Sequence, residues 1–123
     1  MTERESYIEL LKQMDLEFSA SEKNVGDSIG TISRFGYEYQ VELMRDYERK
    51  YIVLHDYIPM KNEEQLSGIA DEINERFITG KCRVENGMIH IFIGFALVDN
   101  GLIYQQLLAS MSTMCHMRHG CEH

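Results

Sequence analysis

The sequence predicts an α+β fold in which an antiparallel sheet of about four to five strands carries helices on one face. Two observations predict the sheet: a period-two alternation that starts at Phe35, and the pair Asn86-Gly87 between two apolar runs. Asn-Gly favours the type I′ turn of an antiparallel hairpin. Helical periodicity in three other segments completes the predicted order α-β-β-(β)-α-β-β-α, as a single domain over residues 1–123.

The first element is a helix predicted over residues 3–16, where Tyr7, Ile8 and Leu11 recur at helical spacing behind an acidic start. Residues 19–31 contain Ser, Asn, Gly and Asp and are typical of a loop that includes at most a short edge strand.

The next two elements are strands. From Phe35 to Leu43, apolar residues alternate with Gly36, Glu38, Gln40 and Glu42, which predicts a half-buried strand with one wet face. Residues 45–48 are polar and indicate a turn. Residues 51–58 are apolar at both parities, so we expect this strand to lie in the middle of the sheet or under a helix.

The second half of the chain begins with a helix over residues 62–78, with Asn62 and Gln65 as a capping box and Gly80 as its C-terminal cap. Strands at residues 81–85 and 88–97 flank Asn86-Gly87. A final helix from about Leu102 has one apolar side. That side is formed by Ile103, Leu107, Met111 and Met114.

Composition bears on compartment and partners. The net charge of −8 disfavours nucleic acid and anionic membranes, and fits a soluble protein or one with a basic partner. Three cysteines without a disulfide-framework spacing indicate a reducing compartment, which we expect to be the cytoplasm. The first residues are too polar for a signal peptide.

Three stretches resemble the YbjN family, which has the type III secretion chaperone-like fold. They are Tyr51–Leu54 with Ile58-Pro59, where a strand closes on a proline; Ile69–Asn74, with Asn74 late in a helix; and the hairpin Gly80–Ile89. The resemblance spans nearly the whole chain. It implies a non-enzymatic bacterial protein without a cofactor, usually a homodimer, which binds a protein segment or acts as a regulator.

Two groups of residues are candidates for contacting a partner. Tyr37, Tyr39 and Tyr51 belong to the first hairpin, and tyrosine is enriched where a surface meets a partner. Met111 and Met114 lie on the last helix, and flexible thioethers suit adaptable contacts. Ordinary packing in the sheet and the core is the alternative for both groups.

The Cys/His-rich C-terminus is a candidate metal site. Cys115, His116, His119 and Cys121 supply thiolate and imidazole donors of the kind that Zn²⁺ and Cu⁺ prefer. Their spacing matches no standard zinc module, and ligands this close in sequence require the helix to unwind. A frayed terminus, in part derived from a purification tag, is the alternative.

No catalytic residue is predicted. Cys82 and His90 are cross-strand neighbours in the predicted hairpin but lack a third, orienting group, so a packed thiol and a surface histidine are expected. His55 and Asp56 are adjacent on a strand and must point to opposite faces. The acids of the middle helix, Glu63, Glu64, Asp71, Glu72 and Glu75, lie mainly on its wet face.

The sequence therefore favours a non-enzymatic, chaperone-like or regulatory protein-binding module of unknown partner. The alternative is a regulator that responds to a metal or small molecule through the C-terminus or a pocket between helix and sheet.

Overall fold

The computed structural model describes residues 2–21, 27–60 and 63–122, without the side chain of Glu63. This part of the chain forms three helices and six strands. In chain order they are α1 (Glu3–Lys12), β1 (Glu17–Ala20), β2 (Ser28–Arg34), β3 (Tyr37–Asp46), β4 (Arg49–Pro59), α2 (Leu66–Arg76), β5 (Lys81–Glu85), β6 (Met88–Ala96) and α3 (Ile103–Cys121). Single turns of 3-10 helix, Glu63–Gln65 and Asn100–Leu102, lead into α2 and α3.

The strands form one antiparallel sheet in the order β1-β2-β3-β4-β6-β5, with the helices on one face. The predicted fold class is confirmed, and the internal position of β4 agrees with its apolar sequence. The strand count is higher than predicted, because β1 and β2 extend into the two ends of the predicted loop at 19–31. Residues 22–26 of that loop lie outside the described residues. A register shift between Ser28 and Gly30 lets Ile29 and Ile32 both be buried, and this three-residue spacing hides the period of two.

Two turns with positive φ set the hairpins. Asn86 and Gly87 have φ of 51° and 73°, which confirms the predicted turn between β5 and β6. Phe35 and Gly36 have φ of 57° and 78° and form the turn between β2 and β3. The first predicted strand therefore starts at Tyr37, two residues later than its alternation indicates.

The core lies between the helices and the sheet. The predicted inner side of α3 is confirmed, since Ile103, Leu107, Met111 and Met114 are all fully buried. They face alternate residues of the two central strands: Ile52, Leu54 and Ile58 of β4, and Ile89, Ile91 and Ile93 of β6. These strand residues are also buried, so β4 and β6 hold the centre of the apolar layer.

Helix boundaries differ modestly from the predicted ones. α1 ends at Lys12 because the chain tightens into a turn before β1. α2 ends at Arg76, so Gly80, with φ of 86°, lies in the following turn and does not cap the helix. Gln65 precedes α2 without a side-chain cap, and Asn62 lies outside the described residues. Glu64, Asp71, Glu72 and Glu75 are exposed, as predicted.

An internal ion pair joins α3 to the sheet. Arg118 Nη1 lies 2.9 Å from both carboxylate oxygens of Asp56, which is nearly fully buried on β4. Burial raises the pKa of Asp56, and Arg118 acts against that shift. Removing one partner would leave a poorly solvated charge, so the pair fixes the C-terminal half of α3 on the sheet.

Within the described residues, none of the helices is long and apolar enough to cross a membrane.

Candidate functional site

The candidate site is a groove on the sheet face opposite the helices, at β3, β4, β6 and β5. Neighbouring residues in these strands project to opposite faces, so every second residue contributes. The groove has a volume of about 630 Å³. It is called here the open-face groove. The side chains that line it include Glu42, Met44, Tyr51, Val53, His55, Tyr57, Lys81, Arg83, His90 and Phe92.

A chain of hydrogen bonds crosses the floor of the open-face groove from β3 to β5. Glu42 Oε1 lies 2.9 Å from His55 Nε2, and His55 Nδ1 lies 2.8 Å from His90 Nε2. Arg83 Nε donates to His90 Nδ1 at 3.1 Å. Four strands are thus linked by side chains as well as by their backbone ladders.

One set of tautomers satisfies every bond in this chain. Because Arg83 donates to His90 Nδ1, the neutral ring carries its proton on Nε2 and donates to His55 Nδ1. His55 then carries its proton on Nε2 and donates to Glu42. Glu85 Oε2, 3.0 Å from His90 Nδ1, becomes the acceptor when His90 gains a second proton.

Aromatic rings cover His90. The Tyr57 ring stacks on it at 4.3 Å between centroids and 6° between planes, and the Phe92 centroid lies 4.8 Å away. The guanidinium of Arg83 lies over Phe92 at 5.1 Å. His90 is only 1% exposed, and its burial, followed by the charges of His55 and Arg83, lowers its pKa.

The predicted neighbours Cys82 and His90 are not a pair. The strand register places Cys82 opposite Ile91 and Arg83 opposite His90, so the Cys82 thiol lies on the helix face. The expected packed thiol is confirmed, whereas the expected surface position of His90 is wrong, because the rings of the open-face groove bury it. His55 and Asp56 point to opposite faces as predicted, one into the groove and one toward Arg118.

The predicted partner-contacting residues fall in different places. Tyr51 lines the open-face groove. Tyr37 is half-buried beside α3, with Arg118 4.3 Å and His119 6.3 Å from its ring centroid. Tyr39, Met111 and Met114 are fully buried, as their packing alternative implies. A partner could reach these three only after α3 moved, and their role as contacts stays a prediction.

The predicted metal ligands do not share one side of α3. The Cys115 sulfur lies 3.9 Å from His119 Nε2, one turn apart, and His116 is exposed. Cys121 is buried and faces Cys82. Across residues 2–21, 27–60 and 63–122, no group of three or more His, Cys, Asp or Glu side chains is arranged to hold a metal ion.

Comparison with solved structures shows a likeness in fold. The fold is similar to the crystal structure of YbjN from E. coli, described there as a proposed transcription regulator, with a TM-score of 0.65. The match covers 92% of this chain and 86% of YbjN at 9% identity, so it shows a common fold. No protein-family model matches the chain, and no curated protein matches its sequence significantly.

Sequence reasoning missed the histidine chain at the centre of the site. The alternation of side chains along a strand does place Val53, His55 and Tyr57 on one side of β4. It likewise places His90 and Phe92 on one side of β6. However, β4 and β6 are separated in sequence by α2 and β5. No local turn fixes their register, so the contact between His55 and His90 has no local sequence signal.

Proposed function

We propose that this chain is a non-enzymatic, YbjN-like protein-binding module, chaperone-like or regulatory, that holds a partner segment in the open-face groove. The observation that carries the proposal is the groove itself. One face of the sheet packs against helices, whereas the other presents half-buried aromatic rings beside charged groups. A surface that combines aromatic rings with charged groups is typical of a site that contacts a protein partner.

The composition of the groove favours a protein partner. Aromatic residues, Met and Arg are enriched at the cores of protein interfaces, and Tyr51, Phe92, Met44 and Arg83 line this groove. Its residues come from four adjacent strands, so the surface is broad, whereas a small-molecule site encloses most of its ligand.

Charge indicates what the partner segment carries. The net charge of −8 attracts a basic partner over long range. At the groove, Lys81 and Arg83 lie on the β5 side and Glu42 lies on the β3 side, which orients a segment with both signs of charge. Specific placement then depends on these local charges and on the rings between them.

A second candidate, a ligand-responsive regulator, is favoured by the direct bond between His55 and His90. The His90 imidazole bonds directly to His55, so a change in its protonation or a bound acid would alter the hydrogen bonds along the groove. This candidate predicts that small acids compete for the groove without any protein partner. A metal-responsive version through Cys115 and Cys121 predicts stoichiometric Zn²⁺ uptake that is lost on replacing both with serine.

Peptide binding with a matched pair of variants tests the proposal. Tyr51 lines the groove, whereas Tyr47 is 98% exposed at the turn between β3 and β4, outside it. For a peptide selected from a random display library on tag-free protein, Tyr51→Ala should weaken binding about tenfold, or about 1.4 kcal/mol. Tyr47→Ala should leave the affinity unchanged. Equal effects of both variants, or failure to select any peptide, would count against the groove.

Self-association is a separate part of the proposal, in which the chain works as a cytoplasmic homodimer. Light scattering of tag-free protein should then give a mass of twice the chain's 14.4 kDa. A strictly monomeric species at micromolar concentration would contradict the dimer. A dimer that Tyr51→Ala dissociates would identify a second copy of the chain as the groove's occupant.

A further inference from the structure

The second half of β6 has an open edge. β6 pairs with β4 along its whole length, but it pairs with β5 only as far as Phe92, which lies opposite Lys81. The residue before Lys81 is Gly80, whose φ of 86° turns the chain away. Gly80 packs so closely on Ile93 that a Cβ there would lie 2.8 Å from Ile93 Cγ1. Beyond this contact, none of the described strands lies beside β6 on the side of β5.

The backbone groups of Gly94 and Ala96 point out of this edge. In an antiparallel sheet, alternate residues of a strand bond to one neighbour and the residues between them bond to the other. The Leu97 amide donates to the Lys50 carbonyl at 2.8 Å, so odd-numbered residues bond to β4 and even-numbered residues face the side of β5. Within residues 2–21, 27–60 and 63–122, Gly94 and Ala96 have no hydrogen-bond partner on that side. Gly94 is exposed and Ala96 is half-buried.

Two cavities meet at the open edge. One is the open-face groove, and the other, called here the helix-side pocket, has a volume of about 350 Å³ and lies between β6 and α3. Gly80, Ile93 and Gly94 line both of them. The remaining residues of the helix-side pocket are all uncharged: Thr79, Phe95, Gln106, Ala109, Ser110 and Thr113. A strand added to this edge would point its side chains alternately into the groove and into the pocket.

We infer that the partner segment binds as an added antiparallel β-strand on Gly94 and Ala96, in line with β5. The inference rests on the proposed function and specifies how the segment is held. Backbone amides and carbonyls that lack a partner at a sheet edge are matched by an extended peptide, which supplies the complementary groups at the same spacing. The segment residue opposite Phe95 enters the helix-side pocket. Because that pocket is uncharged, it favours an aliphatic side chain.

Lys81 adds a preference for negative charge. It is exposed, its side chain lines the open-face groove, and none of the ion pairs among the described residues includes it. The segment residue opposite Gly94 would lie on the same face, two positions before Lys81 in the line of β5 and about 7 Å away. A lysine side chain spans that distance, so an acidic residue fits there. In chain order, the segment therefore carries an aliphatic residue followed by an acidic one.

Amide hydrogen exchange of wild-type protein tests the inference without any variant. The ligand is the peptide selected from the random display library. Val84 is the internal control, because it lies two residues after Cys82, whose amide points outward to Asn74, and is itself 44% exposed. When about nine in ten molecules carry the peptide, exchange at Gly94 and Ala96 should slow about tenfold, whereas exchange at Val84 should not change.

A pair of lysine variants tests the acidic residue of the segment. Lys81→Glu should weaken binding of the selected peptide about fivefold, because it replaces attraction with repulsion at an exposed position. Lys12→Glu, which changes an exposed lysine of α1, should leave the affinity unchanged. Equal effects of the two variants would contradict the acidic residue opposite Gly94.

The exchange experiment separates failure of this inference from failure of the proposed function. A peptide whose binding is weakened by Tyr51→Ala, but which leaves exchange at Gly94 and Ala96 unchanged, would overturn the added strand and retain the groove. Slowing at Val84 equal to that at Gly94 and Ala96 would also overturn it, because a general tightening of the sheet would then explain the protection. Failure to select any peptide that binds the groove would overturn both proposals.

Discussion

At the scale of single residues, His90 connects the fold to the proposed site. It is buried beneath Tyr57 and Phe92, and its ring nitrogens contact His55 and Arg83. A histidine held neutral in this way stabilises the fold only while it stays neutral. Stability should therefore depend on pH through this residue.

The sign of that dependence follows from the lowered pKa of His90. Below the ordinary histidine pKa of about 6.5, the unfolded chain binds a proton that the folded His90 excludes, so the free energy of unfolding falls as pH falls. The contribution of one such group cannot exceed about 1.4 kcal/mol per pH unit. Urea denaturation between about pH 8 and pH 5.5 measures it.

Two variants separate His90 from the other titrating groups. His90→Gln should flatten the pH dependence, whereas His116→Gln, a substitution of an exposed histidine on α3, should not. Equal slopes for wild type and His90→Gln would show that His90 does not set the pH response.

Sequence reasoning at this scale succeeds for residues whose role is local. Asn86-Gly87 specifies its own turn, and His55 and Asp56 diverge because neighbours on a strand must. It fails for His90, because its burial depends on rings brought by β4, a strand far away in sequence. The contact between Tyr37 and His119 is missed for the same reason, because it joins residues of β3 and α3 that are far apart in sequence.

At the scale of elements, Asn74, one of the residues that resemble the YbjN family, has a structural role. Its amide pairs with both backbone groups of Cys82 on β5, which is an edge strand. Unpaired backbone groups on an edge invite association with other strands. Asn74 occupies those groups at Cys82, so the likeness in sequence coincides with protection of the sheet edge.

Two glycines give opposite predictions for their elements. Gly68 lies in α2, where a Cβ would meet only open space, and glycine is a poor helix former. Gly68→Ala should raise the free energy of unfolding by about 0.5–1 kcal/mol. At Gly30 of β2, a Cβ would lie 2.3 Å from the Ser19 carbonyl oxygen, so Gly30→Ala should lower it by about 1–3 kcal/mol.

Urea denaturation of the two single variants measures both changes. A stabilising Gly30→Ala would mean that β1 and β2 do not approach each other as closely as the register indicates. A destabilising Gly68→Ala would place α2 against a surface that the structure does not show.

The elements that the sequence predicts well have a regular period. The inner side of α3 and the hairpin of β5 and β6 follow directly from it. The first part of β2, up to Thr31, falls in the predicted loop because the bulge at Gly30 breaks the alternation and the polar residues are typical of turns. The period of β4 is hidden because one parity faces the core and the other faces an aromatic groove.

At the scale of the whole molecule, the two faces of the sheet differ in chemistry. One face buries an aliphatic layer beneath α1, α2 and α3, which supplies most of the stability. The other holds the open-face groove, where charged and aromatic side chains share hydrogen bonds. This division agrees with a binding role, since a partner can occupy one face without disturbing the core.

The most direct test of peptide binding in the open-face groove is an amide NMR titration of isotope-labelled, tag-free protein with a selected peptide. We expect the chemical-shift changes to concentrate on the strands of the open-face groove, around Tyr51, His55, His90 and Phe92, with α3 little affected. Changes confined to α3, or to the edge strand β1 at the far end of the strand order, would contradict binding in the groove and place the binding surface elsewhere.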